Sequence, residues 1–83
     1  MRYQYRTQGT CSSAISFDID EEGKLANVVF TGGCNGNLKA IGRLVEGKDA
    51  REIADLLRGN LCGFKNTSCA DQLSKAIDKA LSA

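Results

Sequence analysis

Thr31-Gly32-Gly33-Cys34-Asn35-Gly36-Asn37 divides the chain. The apolar run Val28-Val29-Phe30 ends just before it, and a helical pattern of apolar residues begins just after it. Three glycines among these seven residues allow a sharp turn and positive φ values that other residues resist. A turn of this kind joins a strand to a helix. It also carries a thiol, Cys34, to an open helix N-terminus, where it can bind or react.

Upstream of this turn the pattern is that of strands. Tyr3 and Tyr5 alternate with Arg2, Gln4 and Arg6, which predicts a half-buried strand. Ile15, Phe17 and Ile19 alternate with Ser16 and Asp18 in a second strand, which Cys11 opens. The polar segment Asp20-Glu21-Glu22-Gly23-Lys24 suits a hairpin leading into a third strand, with Leu25 before Val28-Val29-Phe30. Short connections between three short strands predict an antiparallel meander covered on one face.

Downstream the period changes to that of helices. Leu38, Ile41, Leu44 and Val45 fall at helical spacing, and Gly47 stops them. Asp49-Ala50-Arg51-Glu52 has the form of a capping box, followed by an apolar stripe of Ile53, Leu56 and Leu57 that ends at Gly59. The segment from Asn60 to Asn66 fits either a small strand or a cover over the core's edge, through Leu61 and Phe64. Ser68-Cys69-Ala70-Asp71 is a second capping box, with Ser68 as N-cap and Asp71 at the third helical position. Leu73, Ala76, Ile77, Ala80 and Leu81 then trace one face of a last helix. The expected fold is a single α+β domain over residues 1–83, in two layers, with helices packed on one face of the meander.

Composition narrows the function. Eleven basic and ten acidic residues among 83 leave a net charge of +1, which gives no support for nucleic-acid or membrane binding. No apolar run approaches the length of a spanning helix, and Met1-Arg2-Tyr3-Gln4-Tyr5 lacks the apolar core of a signal peptide. The expected location is the cytoplasm, where thiols stay reduced.

The cysteines carry the chemistry. Cys11, Cys34, Cys62 and Cys69 all fall at element ends or in loops, and none lies on an apolar helical stripe. Buried structural cysteines replace small apolar residues within such stripes, whereas element ends are where ligands and nucleophiles are placed. The chain has no histidine, so a soft-metal site here would use thiolates, with Asp or Glu as further donors. Four cysteines suit zinc or an iron–sulfur cluster. There is no C-x-x-C pair, and the nearest two cysteines are separated by six residues, so spacing alone does not make a zinc motif. Inert core thiols are one alternative. Two disulfides, with three pairings that sequence cannot rank, are another. Cys34 and Cys69 both fall near expected helix N-termini, where the dipole and free N–H groups favour thiolate.

Thr67-Ser68-Cys69-Ala70-Asp71 resembles the Thr-Ser-Cys-Pro-Asp motif that names the TSCPD domain. Gly32-Gly33-Cys34-Asn35-Gly36-Asn37-Leu38 and Cys62-Gly63 also resemble the small stand-alone members of that family. Ala70 replaces the proline of the name at a position in the first helical turn, where either residue fits. The domain also occurs at the end of some ribonucleotide reductases, and the resemblance implies that its cysteines are metal ligands. A fainter resemblance is to the iron–sulfur cluster scaffold proteins related to the N-terminal part of NifU. Matched by motif, Cys11, Cys34 and Cys69 fall on that family's three cluster-binding cysteines. Ser68 stands where the scaffolds commonly carry histidine, which leaves Cys62 as the natural fourth ligand. This second resemblance implies an iron–sulfur-scaffold-like fold.

The reading that results is a small cytoplasmic module with one polycysteine site, Cys11, Cys34, Cys62 and Cys69, for zinc or an iron–sulfur cluster. Its role would be metal or cluster handling or redox support, with a protein partner in transfer or a ribonucleotide reductase, as a monomer or small homo-oligomer. A competing class is a ribonucleoside-diphosphate reductase-like enzyme, although 83 residues lack room for a reductase barrel. A third is a nucleotide-binding regulatory module, with Gly33 and Asn35 of the turn as cofactor-binding positions at a helix start. That turn lacks the lysine and spacing of a P-loop.

Overall fold

Alternation of aromatic and polar side chains in the first residues produces strand β1, Arg2–Arg6, in a computed structural model that describes residues 2–7, 12–32, 35–60 and 67–82. Strands β2, Ser12–Ile19, and β3, Leu25–Gly32, follow, and the sheet order is β1-β2-β3, antiparallel throughout. Tyr3 pairs with Phe17, Tyr5 with Ile15, and Ile15 in turn with Phe30. The rings of Tyr3 and Phe17 stack at 5.6 Å between centroids. The β2–β3 turn is held by Asp20, whose carboxylate accepts from the amides of Glu22 and Lys24, and Gly23 adopts φ +79° there.

Two irregularities set which side chains face the helices. Between Ser16 and Asp18 the register advances by one residue on β3, at Asn27, which takes φ +54°, a left-handed conformation that asparagine tolerates. The extra residue lets Leu25 and, beyond it, Val28 and Phe30 all contribute to one core despite their opposite parity. Between Ser12 and Ala14 the extra residue lies on β2 instead. Strict alternation with Ile15, Phe17 and Ile19 would place Ser12 on the outer face; beyond the bulge Ser12 is buried and Ser13 is exposed.

Helices α1, Asn35–Val45, α2, Ala50–Leu57, and α3, Cys69–Ser82, make the second layer. α1 packs on β3, α3 on β1 and β2, and α2 on α3. The expected α+β arrangement of a three-stranded meander and helices is therefore the observed one. The core joins Ile15, Phe17, Leu25, Ile53, Leu73 and Ile77, among others. Asp49 caps α2 by accepting from the amide of Glu52, and positive φ angles at Gly47 and Gly59 follow the ends of α1 and α2 as their positions in the sequence suggest.

Two apolar residues assigned to buried stripes are on the surface: Leu44 is 72% exposed and Leu56 75%. In α1 the inward face is Leu38, Gly42 and Val45, because Gly42 lies directly on the backbone of β3; a Cβ there would stand 2.8 Å from the carbonyl oxygen of Val28. That close approach turns Leu44 outward. In α2 the small residues Ala50 and Ala54 take the inner face beside Ile53, so Leu56 falls on the far side.

Candidate functional site

The first turn of α3 is organised by the run Thr67-Ser68-Cys69-Ala70-Asp71. Ser68 is the N-cap, its hydroxyl accepting from the amide of Asp71 at 3.0 Å. Cys69 therefore opens the helix. The other half of the expected capping box does not face Ser68. The Asp71 carboxylate turns outward from the helix start, and each oxygen has its own partner. Oδ1 accepts from the amide of Gly59 at 2.7 Å, and Oδ2 from the Thr67 hydroxyl at 2.5 Å, with the Lys75 ammonium 3.6 Å away. Gln72 donates to the same Thr67 hydroxyl at 3.0 Å. The Ser68 hydroxyl in turn donates to the carbonyl of Asn60.

Asp71 is only 4% exposed. Burial works to raise its pKa, but the Thr67 hydroxyl, the Gly59 amide and the Lys75 ammonium favour the anion and together hold it below the usual carboxylate value. With both oxygens occupied, Asp71 is a structural acceptor.

Across from this turn, the Ser12 hydroxyl lies 3.1 Å from the Cys69 sulfur, either atom being able to donate. The bulge in β2 is what aims Ser12 inward. Its carbonyl is bound by the buried Thr7 hydroxyl at 2.5 Å, and the amide of Thr7 donates to Ser13, so the β1–β2 connection is closed at its base. Ser12 also stands opposite Gly32 in the sheet. Gly32 takes φ +77°, a conformation suited to glycine, as expected of the glycine-rich turn.

Of the six site residues read from sequence, Cys69 is placed at the start of α3, half-buried beside Ser12. Asn35 opens α1. Cys11, Cys34, Cys62 and Gly33, together with the short segment over 61–66, lie outside the described residues. Among the described residues, no three Cys, Asp or Glu side chains gather as a metal-binding group. Residues that flank the cysteines in sequence make two contacts at the start of α3. Ser12 follows Cys11 and touches Cys69; its sheet partner Gly32 stands two residues before Cys34; Asn60, two residues before Cys62, is bound to Ser68, the neighbour of Cys69. Among the described residues, the donor groups of this locality are the Cys69 thiol with the neighbouring Ser12 and Ser68 hydroxyls.

Sequence reading missed Ser12 and the link from Gly59 and Asn60 to α3. Ser12 had no signal, because its inward aim comes from a bulge. Thr67 and Asp71 were visible as a motif, but their non-local partner was not.

Among the described residues, no helix is long and apolar enough to cross a membrane. No curated protein and no solved structure matches the chain. The family model of the TSCPD domain matches residues 1–81. With that match over almost its whole length, and with Thr67-Ser68-Cys69-Ala70-Asp71 folded as one hydrogen-bonded unit, the chain belongs to the TSCPD domain family.

Proposed function

We propose that this chain is a small cytoplasmic metal-binding module in which Cys11, Cys34, Cys62 and Cys69 hold zinc or an iron–sulfur cluster. The observation that carries the reading is a pair of contacts at the start of α3: Ser12, next to Cys11 and opposite Gly32 in the sheet, touches Cys69, and Asn60, two residues before Cys62, is bound to Ser68. Thiolates are the preferred ligands of both centres, and the chain has no histidine to share the task. When bound, such a centre supplies structural cross-linking or electron storage. The protein supplies the Cys69 thiol at a helix start, a hydroxyl beside its sulfur, and the amide-rich start of α3, which favours anionic ligands. The role that follows is metal or cluster handling, or redox support, for a protein partner, with a ribonucleotide reductase as the partner class that the family suggests.

The test is elemental analysis of protein purified without oxygen, paired with its visible absorption. Near-stoichiometric zinc without colour identifies a zinc module. Iron and sulfide with charge-transfer absorption identify a cluster. Protein that holds neither, and takes up neither on reconstitution in the presence of a reductant, overturns the reading.

A further inference from the structure

An edge strand pairs only alternate residues with its neighbour, and the N–H and C=O groups of the others stay open unless something covers them. β3 is an edge strand in the order β1-β2-β3. Its first half is covered. Leu25 donates to the Lys48 carbonyl at 2.8 Å and accepts from the Gly47 amide at 2.7 Å, both in the turn after α1. The Asn27 amide donates to the Glu46 carboxylate at 2.9 Å. Beyond the bulge the cover stops. Among the described residues, the backbone of Val28, Val29 and Phe30 has no hydrogen-bond partner outside β2.

Alongside this open stretch lies a groove of about 640 Å³ between β3 and α1, within the size range of ligand clefts. Half-buried Val28 and Phe30 and buried Leu38 give it an apolar lining. Lys39 and Arg43 also line it, exposed and four residues apart, so they share one side of α1. Among the described residues neither has an ion pair. Glu46, the acidic residue of the lining, is already engaged by the Asn27 amide.

We propose that the open edge of β3 and the adjoining groove take an extended acidic segment of a partner protein, which adds to the sheet as a fourth strand. The backbone of that segment supplies the missing ladder partners of β3. Its side chains alternate between the two faces of the sheet, and those on the helical side enter the groove. Apolar ones meet Val28, Phe30 and Leu38, and carboxylates meet Lys39 and Arg43. Main-chain bonds in such an addition are indifferent to sequence, so the side-chain lining sets the preference. Two cations against one committed anion favour an acidic segment and oppose a basic one. A second copy of this chain is a poorer occupant. Two-fold pairing of β3 with β3 sets identical surfaces against each other, which would bring the two Lys39–Arg43 rims face to face. Recognition of this kind needs no metal.

The experiment uses the full chain and two short fluorescent peptides, acetylated and amidated at their ends. One alternates valine with glutamate, the other valine with lysine. Anisotropy reads the affinity at low and at physiological ionic strength, and amide hydrogen exchange at saturation reads the site. Wild type should bind the glutamate peptide about tenfold or more tighter than the lysine peptide, and the preference should shrink as salt rises. Saturation should slow exchange at amides within Val28–Thr31. Lys39→Glu combined with Arg43→Glu changes only exposed side chains and should invert the preference. Equal affinity for both peptides, or an unchanged preference in that variant, would overturn the acidic class of partner. Binding without slower exchange in β3 would overturn strand addition. A wild type that binds neither peptide would overturn the proposal as a whole. Protection of β3 that rises with protein concentration in the absence of peptide, together with a dimer in sedimentation, would assign the edge to a second copy and overturn the proposal in that way.

Discussion

The Ser12 hydroxyl stands 3.1 Å from the sulfur of Cys69, a residue fifty-seven positions away in sequence. Ser12 belongs to the first residues of β2, and Cys69 is the first residue of α3, so the contact ties the sheet to the helical layer at one end of the domain. It depends on the bulge that departs from strict alternation in β2.

Replacing the two partners separates their roles. Cys69→Ser should reduce the metal content of anaerobically purified protein to near background, since a hydroxyl is a much poorer ligand for soft metals than a thiolate. Because Cys69 is half-buried at a helix end, the metal-free form should lose little stability. Ser12→Ala should retain metal but lower the stability of the metal-free form by about 0.5–1.5 kcal/mol, the net value of one hydrogen bond. Elemental analysis and urea denaturation read the two quantities. A strongly destabilised Cys69→Ser that never differs from wild type in metal content would mark Cys69 as a packing residue.

Two glycines of α1 should respond in opposite directions to alanine. At Gly42 the new methyl would meet the Val28 carbonyl oxygen at 2.8 Å, and a backbone atom cannot swing away. The overpacking cost of about 1–3 kcal/mol outweighs the gain in helix propensity of about 1 kcal/mol at most. At Gly36, where nothing lies within 4 Å, Gly36→Ala should stabilise by about 0.4–1 kcal/mol. Thermal or chemical denaturation of both variants checks the contrast, and a stabilised Gly42→Ala would contradict the packing of α1 on β3.

Ile77 is fully buried in the core between α3 and the sheet. Ile77→Ala should cost about 2–5 kcal/mol, the transfer loss plus the cavity left behind. A loss below about 0.5 kcal/mol, measured by chemical denaturation, would make α3 peripheral.

Acid should weaken the metal-free protein partly through Asp71. Its native pKa lies below the unfolded value of about 3.9, so on acidification the unfolded chain takes up this proton first. The contribution is complete above the unfolded pKa and is lost as pH falls through the native one. The stability difference between wild type and Asp71→Asn should therefore be largest near neutral pH and shrink below about pH 4. Denaturation curves from neutral pH down to the acid limit would reveal this, and a difference that stays constant throughout would show that Asp71 is not held as the anion.

Most of the element plan was legible because it rests on local causes. Tyr3 and Tyr5 alternate with polar residues, Gly23 suits the hairpin, Gly47 and Gly59 follow helix ends, and Asp49 and Ser68 occupy N-caps, all as the order of residues implies. The last helix buries the stripe Leu73, Ala76, Ile77 and Ala80 that its period marks out. Leu44 and Leu56 were assigned wrongly because helical spacing states which residues share a face, not which of two overlapping apolar faces meets the sheet. Contact between Gly42 and Val28, and the small size of Ala50 and Ala54, settled that choice.

The same division runs through the candidate site. The linear order of residues was enough to determine the family signature Thr67-Ser68-Cys69-Ala70-Asp71, the capping role of Ser68 and the position of Cys69 at a helix start, since each depends on neighbours within one turn. Only the tertiary structure decided that Asp71 reaches back to Gly59 and that Ser12 turns inward to meet Cys69. Those outcomes depend on a bulge and on the docking of α2 against α3, where register and packing between distant segments govern, and no local period encodes either one.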